Sequence, residues 1–166
     1  MMRASGPRRR IGIASLAAVM AMAASCGFGP STFALNNATV DSSYQCPTGA
    51  NNSAYDLHAT IQVTNGTSNT VTIESVAVVM TLVAVKGSWL EKLGDKYTAS
   101  NVTFTPSSVG NGSSGTLHVT MSSACTNGKT PSGGSSYGEY SVVLTVTTSA
   151  GTFTITSGNR HRIVPA

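Results

Sequence analysis

Charge is what this sequence has least of. Asp, Glu, Lys and Arg together make up 10% of the 166 residues, aromatic residues make up 6%, and there is one tryptophan. Such a chain is not the highly charged composition of a disordered polymer, and its length gives room for one domain with a buried core. The formal charge of +4 misleads, because Arg3, Arg8, Arg9 and Arg10 crowd the extreme N-terminus. Beyond them Lys86, Lys92, Lys96, Lys129, Arg160 and Arg162 face Asp41, Asp56, Glu74, Glu91, Asp95 and Glu139. The body is electrically balanced, so nothing in it argues for a nucleic-acid partner. Helical periodicity is also missing past residue 30, with one short exception at Ser88–Glu91, and no internal repeat is present.

Two catalytic motifs match on paper and fail in context. Gly110–Gly115 (GNGSSG) fits the G-x-G-x-x-G pattern of a dinucleotide loop. That loop needs a helix after it and an acidic residue about 20 positions on. Here an alternating strand, GTLHVTM, follows, and no acid occurs between Asp95 and Glu139. The segment therefore reads as a turn. Gly134–Gly138 (GSSYG) fits the G-x-S-x-G nucleophile elbow, which requires a strand before the serine and a helix after it. This serine sits in a long loop that leads into a strand, so it lacks the setting of a nucleophile.

The N-terminus reads as an export signal. MMRASGPRRR is a positive region, and IGIASLAAVMAMAAS is an apolar run shorter than the roughly 20 residues of a spanning helix. The run ends in Ala23-Ala24-Ser25-Cys26-Gly27, which resembles the lipobox of bacterial lipoproteins, although that family usually has leucine where Ala23 stands. The resemblance implies a leader over residues 1–25, lipid on Cys26 and anchorage to a membrane of the cell envelope. An ordinary cut, for example after Ala23, is the competing reading and would give a secreted protein. Arg8-Arg9-Arg10 hints at twin-arginine export, but Gly12 interrupts the apolar run expected behind it. Cysteine counting favours lipidation, since three cysteines leave one unpaired in an oxidising compartment. With Cys26 acylated, Cys46 and Cys125 remain as an even pair. Residues 26–32 then form a short linker to a domain at 33–166.

That domain reads as all-β. In YDLHATIQVT, Tyr55, Leu57, Ala59, Ile61 and Val63 share one face, with polar residues on the other, the period of a half-buried strand. Asn65–Asn69 (NGTSN) carries the Asn-Gly chemistry of a hairpin turn. The apolar phase of TVTIESVAVVMTLVAV slips at Glu74-Ser75, which predicts a bulge or a break. NVTFT, GTLHVTM, YSVVLTVT and TFTIT complete the series, and Ser149-Ala150-Gly151 links the last two as a hairpin. Ser88-Trp89-Leu90-Glu91 has the form of a capping box and Gly94 sits where such a helix would stop, which predicts one helical turn. Trp89, Leu90 and Leu93 would then cap the core; a partner-binding knob is the alternative.

About seven short strands at turn-punctuated spacing argue for an antiparallel β-sandwich. The series, with Gly138-Glu139-Tyr140 before the penultimate strand, resembles an immunoglobulin-like domain and its tyrosine corner. Val142 stands where antibody domains place their second inter-sheet cysteine, and no tryptophan occupies the middle of a strand. The resemblance implies that the strand after Cys46 and the strand before Cys125 are antiparallel neighbours, which would bring these two cysteines together as a disulfide. Two unpaired thiols are the alternative.

His58 and His118 fall on the polar faces of these two strands and could share copper or zinc, but no third ligand is evident and Met121 points to the opposite face from His118. Exposed strand histidines are the simpler reading, and His161, between Arg160 and Arg162, reads as a solvated tail. With no convergent acid, base and nucleophile, the expectation is a non-catalytic envelope or secreted module without cofactor or metal, which binds a protein or glycan partner or supports an assembly. A metal-binding protein, or a small hydrolase using loop residues, is the alternative.

Overall fold

The computed structural model describes residues 32–128 and 136–165. The leader, the lipidation candidate Cys26 and Gly134-Ser135 of the elbow motif lie outside the described residues. Eleven strands and no helix occur among the described ones: β1 (Phe33–Val40), β2 (Ser43–Cys46), β3 (Ser53–Asn65), β4 (Val71–Lys86), β5 (Lys96–Thr98), β6 (Ser100–Thr105), β7 (Ser108–Val109), β8 (Ser114–Cys125), β9 (Tyr137–Thr148), β10 (Gly151–Thr156) and β11 (His161–Pro165).

They form two sheets. One has the order β1-β3-β8-β6, the other β2-β11-β9-β4-β5, with β10 also on β9 and β7 on β4. Lettered as in an immunoglobulin-like domain, the first sheet is A-B-E-D. In the second, β4, β9 and the β10/β11 pair take the places of C, F and G. The fold is an immunoglobulin-like β-sandwich, antiparallel except where β2 runs parallel to β11.

Alternation builds its core. Leu57, Ile61 and Val63 of β3 and Leu117, Val119 and Met121 of β8 face Val78, Met80 and Leu82 of β4 and Val142, Leu144 and Val146 of β9, all buried. Each fully buried side chain of this size contributes roughly 1.5–3 kcal/mol of transfer free energy. The phase slip in β4 is a bulge: Ile73 pairs with Thr148 and Ser75 with Thr147, leaving Glu74 as the extra residue. Without it, Val76, Val78 and Met80 would turn outward, because a one-residue slip exchanges the two faces.

Three local expectations are corrected. Ser88–Glu91 is an irregular loop rather than a helical turn, because its side chains have better partners elsewhere. The Tyr140 hydroxyl donates to the Glu91 carboxylate, which therefore does not reach back to Ser88. Backbone bonds from Leu82 N to Asp95 O and from Gly94 N to Leu82 O fold the segment back on β4. Of the three residues expected to cap the core, Trp89 packs on it while Leu90 and Leu93 are exposed. Asn65–Asn69 is a turn but no hairpin, since β3 and β4 belong to opposite sheets. It is an arch, held by Asn65: the buried amide Nδ2 donates to carbonyls of Asn69, Val109 and Gly110, and Oδ1 accepts from Thr67 N and Oγ1. Ser149-Ala150 does join β9 to β10 as a hairpin.

Candidate functional site

The Cys46–Cys125 disulfide is formed, at an end of the sandwich where β3 and β8 run as antiparallel neighbours. Around it the chain is tied by backbone and amide bonds. Asn127 N donates to Ala50 O, Gly49 N donates to Asn127 O, and Asn127 Nδ2 donates to Cys46 O at 3.0 Å. Asn52 N donates to Thr126 Oγ1. These bonds hold the β2–β3 loop against the residues that follow β8. Cys125, Thr126, Asn127 and Asn52 become a firm floor for a cleft of about 340 Å³.

The opposite wall is the β4–β5 loop, and it is aromatic. The Trp89 indole lies against Gly138, so close that a Cβ at Gly138 would meet the ring Cε2 at 2.5 Å. Its Nε1–H donates to the Tyr140 hydroxyl at 3.3 Å and to Glu91 Oε2 at 3.4 Å. Tyr140 in turn donates to the same carboxylate oxygen. Burial, and then the hydrogen bond to Glu91, push the Tyr140 phenol well above its usual range, which keeps it a donor. Tyr140 thus ties down a loop, as the immunoglobulin-like resemblance implied, but it lies inside β9 and the loop it holds is the one after β4. Tyr97 from β5 completes the wall, its hydroxyl donating to Ser122 O. Leu90 is 77% exposed at the rim and Leu93, three residues on, 62% exposed.

The sequence does not announce this cleft because its lining is drawn from segments scattered between Asn52 and Pro165. The pairing of Trp89 with Gly138 was visible in principle, as a bulky ring on a loop and a side-chain-free position in a strand, but nothing local connects them.

His58 and His118 are exposed strand histidines. His58 pairs with Thr120 and His118 with Thr60, so the two lie diagonally on the outer face, both exposed. His58 Nδ1 is 3.0 Å from Asp41 Oδ2, whose oxygen also accepts from His58 N. No group of three His, Cys, Asp or Glu suited to a metal occurs among the described residues. Ser136 of the elbow motif is buried ahead of β9, its hydroxyl packed against Gly87. Of GNGSSG, Gly110–Ser113 make the turn between β7 and β8, and Ser114-Gly115 open β8.

His161 overturns its sequence reading. It is fully buried between the sheets, with Nδ1 2.8 Å from the Asp41 carbonyl and Nε2 2.9 Å from the Tyr55 hydroxyl. Tyr55 stacks on Tyr44 with ring centroids 3.8 Å apart. The flanking arginines point outward onto Glu139, holding its carboxyl below the usual range, and the Arg162 guanidinium lies over the Tyr137 ring. Strand alternation, inward for His161 and Ile163 and outward for Arg160 and Arg162, is the signal that would have placed it.

No protein-family model matches the sequence, and no curated protein matches it. Among solved structures, the chain is similar to AggA, the major subunit of aggregative adherence fimbriae type I from Escherichia coli. The identity is 10% and the TM-score 0.35, over 81% of this chain and 95% of that one. It is similar to PapD-like domain 7 of human CEP192 at 13% identity and a TM-score of 0.28, over 95% and 98%. The CooA pilin subunit of enterotoxigenic Escherichia coli is similar at 12% identity and a TM-score of 0.26, over 79% and 99%. These overlaps are loose, and the strand order above defines the fold independently of them.

Proposed function

We propose that this chain is an exported, non-catalytic binding module, tethered to a membrane of the cell envelope through lipid on Cys26, that engages its partner with the β4–β5 loop. One observation carries the binding role. Leu90 and Leu93 are presented to solvent by a loop whose Trp89 is clamped by Gly138, Tyr140 and Glu91. Burying two leucines that already stand exposed removes apolar area from water on binding. The Cys46–Cys125 bridge supports export, since structural disulfides persist in oxidising compartments, and it leaves Cys26 as the odd cysteine.

Site-specific photo-crosslinking in the native envelope tests the binding role. A photoreactive residue at position 90 or 93 is expected to give one discrete adduct of the same mass shift. A control at Thr154, on exposed β10, is expected to give none. Identical adducts from all three positions, or none from 90 and 93, would reject the proposal. Intact mass of the mature protein tests the anchor: a diacylglycerol-sized increment on a chain beginning at Cys26 is expected, and an unmodified chain starting elsewhere would discard it.

A further inference from the structure

The cleft has a chemical character that points to a ligand class. Three aromatic side chains line it, Trp89, Tyr97 and Tyr140, together with one carboxylate, Glu91. Among the described residues no Lys, Arg or His lines it, and Glu91 enters no ion pair. The carboxylate sets the sign of this wall, with the indole N–H edge of Trp89 and the hydroxyl of Tyr140 turned to it. The two oxygens of Glu91 are used unequally. Oε2 takes both the Tyr140 hydroxyl and the Trp89 indole N–H, while Oε1 accepts from no described group. Two donors therefore fix the carboxylate and leave its second oxygen for a ligand that donates. A cation with hydrogen-bond donors meets all of these demands; a neutral polar ligand leaves the charge unused.

The apolar rim says what carries that cation. Leu90 lines the cleft and is mostly exposed, and Leu93 is exposed three residues on in the same loop. A compact hydrophilic cation has no use for this rim. A lysine side chain has an aliphatic stem to lay along Leu90 and a terminal ammonium for Glu91, and the polypeptide bearing it can cover the remaining leucine.

We propose that the cleft receives the lysine ammonium of a partner polypeptide, bound at Glu91 in the pocket lined by Trp89 and Tyr97. This rests on the binding role proposed above and adds the chemistry of the contact.

Trp89 is the one tryptophan of the chain, so its indole N–H resonance and its fluorescence report on the cleft alone. The protein is titrated with N-acetyl-lysine amide, with N-acetyl-norleucine amide, which keeps the stem without the amine, with choline and with methyl glucoside. A saturable shift of the indole resonance with the lysine probe is expected, about tenfold weaker with norleucine, and weakening as salt rises because the pair is near water. Glu91→Gln keeps an acceptor for the Tyr140 hydroxyl, so its spectrum stays dispersed while lysine binding drops about tenfold. Equal response to norleucine or glucoside, tighter binding of choline, no saturable shift, or an unaltered lysine response in Glu91→Gln would each overturn the proposal. Crosslinks at 90 and 93 without any lysine response would sink this inference alone and leave the wider binding role standing.

Discussion

The Tyr55 hydroxyl donates to Nε2 of His161 at 2.9 Å, between the two sheets. The assignment follows from the other ring nitrogen: Nδ1 faces the Asp41 carbonyl, which can only accept, so Nδ1 carries the proton and Nε2 has the lone pair. The contact joins β3 of one sheet to β11 of the other, at the point where the chain passes from β1 into β2.

Acid should loosen this joint. Burial holds the His161 imidazole below its ordinary value, outweighing the Asp41 carbonyl bond, and pushes the Tyr55 phenol up to about 12. Between the ordinary histidine value of about 6.5 and the lower folded one, the unfolded chain binds more protons than the native one. The contribution is therefore complete above about pH 6.5 and lost as pH falls through the folded value. Urea midpoints measured from about pH 8 to pH 5 should decline across this window. His161→Gln should be weaker at the upper end, by about 1–3 kcal/mol for the unpaired Tyr55 hydroxyl, and flatter across it. A wild-type midpoint that rises on acidification contradicts the assignment.

The Cys46–Cys125 bridge closes a loop with a sequence separation of 79. A closure of that length is worth about 4 kcal/mol in the chain-entropy account. The double variant Cys46→Ser, Cys125→Ser should unfold on the order of 10 °C lower in calorimetry, and the backbone amide of Asn127, which donates to Ala50 O beside the bridge, should gain exchange first. A Tm unchanged by the double variant would show that the hydrogen bonds around Asn127 hold this end without the bridge.

What could be read from the chain was what short-range pattern determines. The alternation of Tyr55–Val63 gave β3 its inward face, and the slip at Glu74-Ser75 gave the bulge, because side-chain period is a local property. The cysteine pairing rests on the immunoglobulin-like resemblance, which makes β3 and β8 neighbours, as they are. Choices between partners were not legible. Ser88–Glu91 has good helix-start chemistry, but Tyr140, 49 residues from Glu91, competes for that carboxylate and wins. Asn65-Gly66 announces a turn without saying which sheet the next strand joins. His161 looked solvated because its neighbours are arginines, although in a strand neighbours face opposite ways.

Asn65 should be costly to replace. Its amide is fully buried and serves carbonyls of Asn69, Val109 and Gly110, closing the arch from β3 to β4 over the β7–β8 turn. Asn65→Ala strands these acceptors, and with the Val109 carbonyl buried the loss should be about 1–3 kcal/mol. Asn65→Asp should be worse, since a carboxylate would face carbonyl oxygens. Denaturant midpoints rank the three proteins; parity between Asn65→Asp and the wild type would refute the network as drawn.

Gly138 separates the stability of the sandwich from the shape of its cleft. It is extended and lies inside β9, so alanine suits its backbone, but an added Cβ would meet Trp89 Cε2, Cζ2 and Nε1 at 2.5, 2.6 and 2.7 Å. All are closer than carbon atoms tolerate, so the ring must leave. It is held by hydrogen bonds to Tyr140 and Glu91 on a loop whose other residues from Gly87 to Asp95 are exposed, and moving it is easier than bending β9 where β4 and β11 flank it. Gly138→Ala should therefore cost about 1–3 kcal/mol, the usual toll of overpacking, while shifting Trp89 emission to the red as the indole enters water. Circular dichroism should remain that of a β-sandwich. An unshifted emission maximum in a folded Gly138→Ala protein would mean that Trp89 is not seated on β9.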